Sequence, residues 1–403
     1  DVTRMAELPD ARHALSLQWV FGVAPEAGAH SLSDENRSAI FYTSAHTGVV
    51  LDLQSQTQLL LQGHRNAICA TAASEDRRRI ATADAGPGSM LVLWDSYNGC
   101  PLRSIAPPHE SGVRAIDMSP DARYVVALSA GPAPQLLSLW DLAADGDKPL
   151  YSHQVNSTAE EQLSVRFSPE APTEIVTAGG RIVIFWSWAS GTLECYAPEE
   201  AGASLQQPVS PLTGSLFLPG SRRALSSTTD GQAVVWDVVS NVPEADTLRR
   251  RAVKLVRLAS RSTIRCAVVM HGLLFVGTAD GHVRAFNSEL RLVAWFEDIA
   301  AGPVTSISFS HDAAAWEGKG GADDLRCADF IVGTAGALIV ACSSAMFGHP
   351  SLEARRGTLL VQGQEGAVHG RTCRPRRPGD QTGDPRTLRT ARGLQSSRPA
   401  AFL

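Results

Sequence analysis

The sequence predicts an all-β protein, a seven-bladed β-propeller followed by a disordered basic C-terminal tail. Three observations carry this prediction. A tryptophan-based signature recurs at nearly constant spacing, short apolar runs bounded by Gly, Pro, Asp and Ser fill the intervals, and no segment shows a long helical period. The 403 residues are 44% apolar and 19% charged, a balance typical of a folded globular chain.

The signature closes an apolar run in each repeat. Its clearest copies end in Trp-Asp, at Trp94, Trp140 and Trp236, and neighbouring anchors lie 43 to 55 residues apart. The series has seven anchors: Leu51, Trp94, Trp140, Trp186, Trp236, Phe286 and Ala341. A period of this length, with four short strands per unit, is typical of WD-repeat propellers. We therefore predict a WD40-type propeller over residues 13–342, with 357–362 as the candidate for a missing outer strand.

The other strands of each blade follow from alternation and turn residues. Residues 18–23 are predicted as the first strand of the first blade, because apolar residues alternate there. Runs at 116–121 and 165–170 end in Ser-Pro-Asp or Ser-Pro-Glu, which predicts an inner strand closed by a turn. Second strands end in small residues before each anchor, at 80–84, 224–230, 273–280 and 330–335.

The signature residues are predicted to have a structural role. In WD repeats the tryptophan joins a hydrogen-bonded set with a strand Ser or Thr, an Asp in the next turn and a His from the preceding loop. The best match here is His64, Thr82, Asp84 and Trp94. A buried polar network must be fully satisfied or it lowers stability. We interpret His64 as a member of such a network rather than as a catalytic or metal-binding residue.

The later blades keep parts of this set. Asp230 lies six residues before Trp236, and Asp280 lies six residues before Phe286. Trp140 and Trp186 are predicted to occupy the blade interior in the same way. The blade of Phe286 has lost its tryptophan. An apolar residue at that position has no polar group to satisfy, so its presence is consistent with loss of the hydrogen-bonded network in that blade.

No motif indicates catalysis, a cofactor or a metal. The phosphate-binding loop, the His-Glu-x-x-His pair and the Gly-x-Ser-x-Gly elbow are missing, and no two of the seven cysteines are close enough for a zinc or redox pair. The spread of single cysteines favours buried thiols in a reducing compartment. A net charge of -5 argues against nucleic acid as the main partner, and no apolar run is long enough to cross a membrane.

Charge is concentrated in three arginine runs. Residues 77–79 and 249–251 are interpreted as solvated faces that protect strand edges, with a docking patch for an acidic partner as the alternative. The third run lies in the tail, residues 343–403, which holds 10 Arg and only 4 acidic residues. Because this stretch has almost no periodic apolar pattern, it is predicted to be disordered or out of frame. The alternative is a functional basic tail that binds acidic tubulin or nucleic acid.

Several strings go beyond a generic WD repeat. They are LQGHRNAI at 61–68, SEDRRRIATAD at 74–84 and LWDSYNG at 93–99, with WVFG at 19–22 and SAHT at 44–47. In these strings the chain resembles the cilia- and flagella-associated protein 251 family, over about residues 15–341. The resemblance implies a non-enzymatic structural subunit of the axoneme of motile cilia. It also implies partners in the calmodulin- and spoke-associated complex, at the base of a radial spoke.

Two other functions remain open at this stage. One is a generic WD-repeat adaptor or substrate receptor in another complex. The other is a propeller hydrolase, which would need carboxylates or a Ser, His and Asp converging on the channel, where Asp117 and Arg166 are the polar residues at hand. For a scaffold, the expected contact segments are those that exceed the blade consensus: 197–211, 240–251 and 316–324.

Overall fold

Seven four-stranded antiparallel sheets make up the fold. The computed structural model describes residues 17–107, 109–131, 134–155, 160–239, 248–311 and 327–363. Within every sheet the four strands follow one another in chain order, so each blade is a simple meander. The predicted all-β, seven-bladed propeller is confirmed.

The blades are numbered along the chain, and each is given from its innermost to its outermost strand. Blade 1 is His30–Ser31, Ala39–Ser44, Thr47–Asp52 and Thr57–Gln62; blade 2 is Ile68–Ala73, Arg79–Asp84, Leu91–Asp95 and Pro101–Ile105. Blade 3 is Val113–Met118, Tyr124–Ser129, Gln135–Asp141 and Tyr151–Val155; blade 4 is Ser164–Phe167, Glu174–Ala178, Val183–Ser187 and Glu194–Tyr196.

The second half of the ring repeats the plan. Blade 5 is Leu212–Phe217, Ala224–Thr228, Gln232–Val238 and Arg250–Arg257; blade 6 is Ile264–Met270, Leu273–Thr278, Val283–Phe286 and Leu292–Phe296; blade 7 is Val304–Phe309, Phe330–Thr334, Leu338–Cys342 and Thr358–Gln362. The short helical segments among the described residues are Ala201–Leu205, Ser344–Met346 and Leu352–Arg355. None of the helices in the described ranges has the length and apolar character needed to cross a membrane.

All seven anchors lie in third strands, and six of them pack against the preceding blade. Trp94 joins a cluster with Phe41 and Val50 of blade 1, and Trp236 joins one with Phe185 of blade 4. Leu51 packs in the same way on blade 7, Trp140 on blade 2, Trp186 on blade 3 and Phe286 on blade 5. Burial of large apolar side chains between blades is therefore what joins neighbouring sheets.

The ring closes without a shared strand. Blade 1 meets blade 7 through two backbone N–H groups, since Ala29 donates to Ser306 Oγ at 3.1 Å and Ser31 donates to Ser308 Oγ at 3.0 Å. Apolar side chains of both blades, including Ile40 of blade 1 and Ile331 of blade 7, share one cluster behind these bonds.

The prediction that residues 18–23 form the first strand of blade 1 is wrong. That strand is His30–Ser31, only two residues long. The backbone N–H and C=O of Val20 bond instead to the side chain of Gln58, on the outermost strand. Val20 and Val23 are partly buried against the cluster that blades 1 and 7 share, as is Leu360 of blade 7. The alternation that suggests a strand therefore serves the seam between blades 1 and 7.

Residues 343–363, which composition assigns to the tail, are folded. Thr358–Gln362 pairs with Leu338–Cys342 as the outermost strand of blade 7, and Met346 is buried against the blade 6 and blade 7 core. The candidate segment 357–362 therefore supplies the missing outer strand of the last blade. The prediction of a disordered or out-of-frame tail now concerns 364–403, which lies outside the described residues.

Candidate functional site

The four signature residues of blade 2 meet inside the blade. Trp94 Nε1 donates to Thr82 Oγ1 at 2.8 Å, and His64 Nε2 lies 2.7 Å from the same oxygen. His64 Nδ1 faces Asp84 Oδ1 at 3.4 Å, longer than a normal hydrogen bond. All four side chains are buried, so the hydroxyl of Thr82 is the shared partner of two buried rings.

Two tautomers of a neutral His64 satisfy the contact with Thr82. With the proton on Nδ1, the ring faces the Asp84 carboxylate with its N–H and accepts the Thr82 hydroxyl at Nε2. With the proton on Nε2, the ring donates to Thr82, whose hydroxyl lies 3.4 Å from the carbonyl of Val92. Burial lowers the pKa of His64, and the nearby Asp84 opposes that shift. Asp84 also accepts the backbone N–H groups of Asn66 and Met90, and thereby joins the loop before the blade to the turn inside it. These contacts support a structural role.

Blades 4 and 5 keep only the part of this network that joins the tryptophan to a strand hydroxyl. Trp186 Nε1 donates to Thr177 Oγ1 at 3.1 Å, and Trp236 Nε1 donates to Ser226 Oγ at 2.8 Å. Asp230 does not reach that serine. It accepts the hydroxyl of Thr228 at 2.6 Å and thereby closes the turn between the second and third strands.

Blade 6 has a buried arginine, Arg284, two residues before the position of the lost tryptophan, and the sequence analysis did not foresee it. Arg284 donates to Thr278 Oγ1 at 2.8 Å and to Asp280 Oδ2 at 3.0 Å, and its guanidinium stacks on Trp295. Burial acts to raise the pKa of Asp280, but the bonds from Arg284 and Thr278 outweigh it and hold that pKa at about 2. Phe286 fills the tryptophan site as an apolar side chain.

Blade 3 has a histidine that the sequence analysis missed. His109 Nε2 lies 3.2 Å from Ser138 Oγ, and its ring meets Trp140 edge-on. Trp140 Nε1 donates instead to the carbonyl of Asp147 at 3.0 Å. Spacing could have revealed this residue, because His109 precedes Trp140 by 31 residues and His64 precedes Trp94 by 30.

The solvated-face interpretation is wrong for Arg250. Its side chain is 2% exposed and lies over the rings of Phe185 and Phe217. The guanidinium pairs with Glu174 Oε2 at 3.0 Å and donates to the carbonyl of Arg222. A planar guanidinium stacks on aromatic faces while it bonds in its own plane, which explains why this arginine joins blades 4 and 5 instead of facing solvent.

The run at 77–79 also departs from that interpretation. Arg77 donates to the carbonyl of Phe309 in blade 7 at 2.8 Å, and Arg79 donates to the carbonyl of Ala122 in blade 3 at 2.9 Å. Arg78 is exposed. Two of the three arginines therefore tie blade 2 to other blades.

The innermost strands enclose a central cavity of ≈ 740 Å³. Asp117 and Arg166 meet there at 3.3 Å, and the Asp117 carboxylate also accepts the backbone N–H of Phe167 at 2.8 Å. Burial raises the pKa of Asp117, and Arg166 opposes the shift. Among the described residues, no group of three or more His, Cys, Asp or Glu is arranged to hold a metal ion.

The predicted contact segments have different surroundings. Residues 197–211 include the helix Ala201–Leu205, which packs on the outermost strand of blade 5, where the Ser204 hydroxyl donates to the carbonyl of Ala252. Of residues 248–251, Arg250 and Arg251 begin that same strand. Positions 240–247 and 316–324 lie outside the described residues.

Comparison with known proteins gives a consistent assignment. The model of the CFAP251 N-terminal domain matches residues 15–347. Cilia- and flagella-associated protein 251 of Chlamydomonas reinhardtii is 37% identical over 380 residues, which cover 88% of this chain and 46% of that protein. The Tetrahymena thermophila protein of the same name is 33% identical over 90% of this chain and 39% of the relative. The Pongo abelii protein is 28% identical over 75% of this chain and 27% of the relative.

These relatives are longer than the chain, which spans less than half the length of each of the three. The match to the family model nevertheless covers nearly the whole described propeller, from the segment before blade 1 to the third strand of blade 7. The chain belongs to the cilia- and flagella-associated protein 251 family.

Proposed function

We propose that this propeller is a non-enzymatic scaffold in the axoneme of motile cilia or flagella, where it docks other proteins and supports motility. The observation that carries the proposal is the family match over residues 15–347, which runs from the segment before blade 1 to the third strand of blade 7. The relatives are named as cilia- and flagella-associated proteins. A rigid ring of sheets with exposed loops and edges suits the holding of several partners at once.

The finer placement belongs to the same proposal. We place the protein at the radial spoke base, with partners in the calmodulin- and spoke-associated complex. The polar groups in the channel support a structural role, because the Asp117 carboxylate is already taken up by Arg166 and by the backbone of Phe167. The buried histidines bond to strand hydroxyls, namely His64 to Thr82 and His109 to Ser138.

Affinity purification from isolated cilia tests this proposal. A tagged copy of the protein is expressed in a ciliated cell and recovered after mild extraction of axonemes. We expect spoke-base and calmodulin-associated proteins to be enriched over an untagged control. Recovery of ubiquitin-ligase or coat subunits in their place would favour the alternative adaptor role, and recovery of no axonemal protein would refute the assignment.

A further inference from the structure

Four hydroxyl groups of this chain have an arginine three residues before them. They belong to Thr82, Ser226, Ser260 and Thr358. An arginine at this spacing is part of the charge pattern by which basophilic protein kinases select their substrates, because acidic side chains of the kinase pair with it. The pattern is strongest where a second arginine lies two residues before the hydroxyl and an apolar residue follows the hydroxyl. The structure decides which of the four positions a kinase can reach.

Burial separates the four hydroxyls into two pairs. Thr82 and Ser226 are 0% exposed, and each accepts the indole N–H of a signature tryptophan. A hydroxyl held between packed sheets cannot enter the active site of a second protein. Ser260 and Thr358 are exposed, so these two are the positions that a kinase can reach.

Thr358 has the complete pattern. Arg355 and Arg356 lie three and two residues before it, and Leu359 follows it. Arg356 is exposed, and Leu359 is 52% exposed. Leu359 is thus a large apolar side chain that the packing of the propeller leaves uncovered, at the position where the pattern requires an apolar residue.

Ser260 has only part of the pattern. Arg257 lies three residues before it, but the residue two before it is Leu258 and the residue after it is Arg261. Leu258 and Ala259 are also buried. Since a kinase binds the consecutive residues around the hydroxyl, a segment whose middle faces the core fits it poorly. This serine is therefore a suitable internal comparison.

The local structure presents Thr358 at the rim of the ring. Thr358 is the first residue of the outermost strand of blade 7, and that strand pairs on one side with Leu338–Cys342. Within the described residues, no hydrogen bond involves the Thr358 hydroxyl. The segment before it contains the helix Leu352–Arg355, whose four residues are too few for a helix that is stable on its own. Extending this segment into the groove of a kinase therefore disrupts a single helical turn.

Two acidic side chains lie close to the arginines. Asp298, after the last strand of blade 6, pairs with Arg355 at 2.5 Å, and the two side chains are 26% and 33% exposed. Arg355 also donates to a nearby backbone carbonyl at 2.7 Å. A partly exposed ion pair contributes little to stability, so a carboxylate of the kinase can replace Asp298. Glu353 lies five residues before Thr358, and the segment from Arg355 to Leu359 itself contains no acidic residue.

We propose that Thr358 is a phosphorylation site for a basophilic protein kinase. Arg355 and Arg356 pair with carboxylates of the kinase through charged hydrogen bonds, and Leu359 enters an apolar pocket beside the reacting hydroxyl. The Thr358 oxygen forms a bond to the γ-phosphorus of ATP, and the bond from that phosphorus to the β–γ bridging oxygen breaks. ADP leaves, and the hydroxyl proton passes to a carboxylate of the kinase.

The product carries its new charge at the outer edge of blade 7. A phosphate on threonine adds a charge of about −1.5 to −2 at neutral pH, together with three strong hydrogen-bond acceptors. The modification therefore changes the electrostatic character of a propeller edge without entering the core. This inference goes beyond the docking role proposed above and does not depend on it.

Phosphorylation of the purified full chain tests the inference. The chain is incubated with magnesium, ATP and the catalytic subunit of cAMP-dependent protein kinase, and the modified residues are mapped by tandem mass spectrometry. Thr358 should take up phosphate at least about tenfold faster than Ser260, because charged hydrogen bonds to a second arginine favour its binding. Arg356→Gln should slow phosphorylation of Thr358 by at least about tenfold for the same reason. Its melting temperature should match that of the parent, because Arg356 is exposed.

A matched control separates this segment from general surface charge. Arg257→Gln removes one exposed charge from blade 5 and should leave the rate at Thr358 within about twofold. An acidophilic protein kinase should leave Thr358 unmodified. Absence of phosphate at Thr358, faster labelling of Ser260, an unchanged rate in Arg356→Gln, or modification of Thr358 by the acidophilic kinase would overturn the inference. Because purified protein is used, such a failure leaves the purification from cilia unaffected.

Discussion

Replacing Thr82 with valine should destabilise the protein more than the same change at Thr177. Both threonines are fully buried in the second strand of a blade, and valine keeps their shape while it removes the hydroxyl. At Thr177 the change leaves one buried donor, Trp186 Nε1, without its partner. At Thr82 it strips the partner from two buried rings, Trp94 and His64.

The magnitude follows from the number of groups left without a partner. Each buried polar group that loses its hydrogen bond costs about 1–3 kcal/mol, so Thr177→Val should cost about that much and Thr82→Val about twice as much. Urea unfolding followed by far-ultraviolet circular dichroism gives the two shifts in midpoint. Trp94→Phe should cost less in the Thr82→Val background than in the parent, because the indole N–H has already lost its partner. Equal costs at the two threonines, or strict additivity with Trp94→Phe, would refute the shared-hydroxyl network.

Three further predictions concern other parts of the ring. Arg250→Ala should cost about 3–5 kcal/mol because it removes the buried ion pair with Glu174 and the packing over Phe185 and Phe217. Arg250→Met combined with Glu174→Gln refills the volume over the aromatic rings and should cost clearly less, and equal urea midpoints for the two variants would contradict the packing argument. Burial lowers the pKa of His109 to about 4, so below about pH 6.5 the unfolded chain takes up a proton that the folded protein does not, and the free energy of unfolding falls as the pH is lowered to about 4. Between pH 7 and pH 5 the fall in the free energy of unfolding should be about 2 kcal/mol smaller in His109→Gln than in the parent, and an equal fall would refute the buried, neutral His109. Gly231→Ala should lower the melting temperature more than Gly146→Ala. Both glycines have a positive φ, but a Cβ at Gly231 would lie 2.5 Å from the carbonyl oxygen of Ala259, whereas a Cβ at Gly146 would have nothing within 4 Å; a larger drop in melting temperature for Gly146→Ala would contradict this.

The repeat predicts the fold because its cause is local to each blade. A large apolar side chain at the end of the third strand packs on the preceding sheet, so the spacing of Trp94, Trp140, Trp186 and Trp236 counts blades directly. The same local logic brings His64, Thr82, Asp84 and Trp94 together, since all four belong to one blade and the loop before it.

What the sequence does not predict depends on contacts between distant segments. Residues 18–23 contact Gln58 and blade 7 instead of pairing as a strand. The alternation of apolar residues in that segment does not reveal these distant contacts. The sequence around Arg250 resembles an exposed charged run, because Glu174 and the rings of Phe185 and Phe217, which enclose Arg250, come from distant segments of blades 4 and 5.

The axonemal scaffold role is tested most directly by crosslinking mass spectrometry on intact axonemes. The chain contains only three lysines, Lys148, Lys254 and Lys319, so a carboxyl-reactive reagent suits it better than an amine-reactive one. We expect crosslinks from acidic residues on the faces and edges of the propeller to proteins of the calmodulin- and spoke-associated complex at the radial spoke base. Crosslinks confined to proteins outside the spoke base would contradict the proposed placement, and absence of the protein from axonemes would contradict the scaffold role itself.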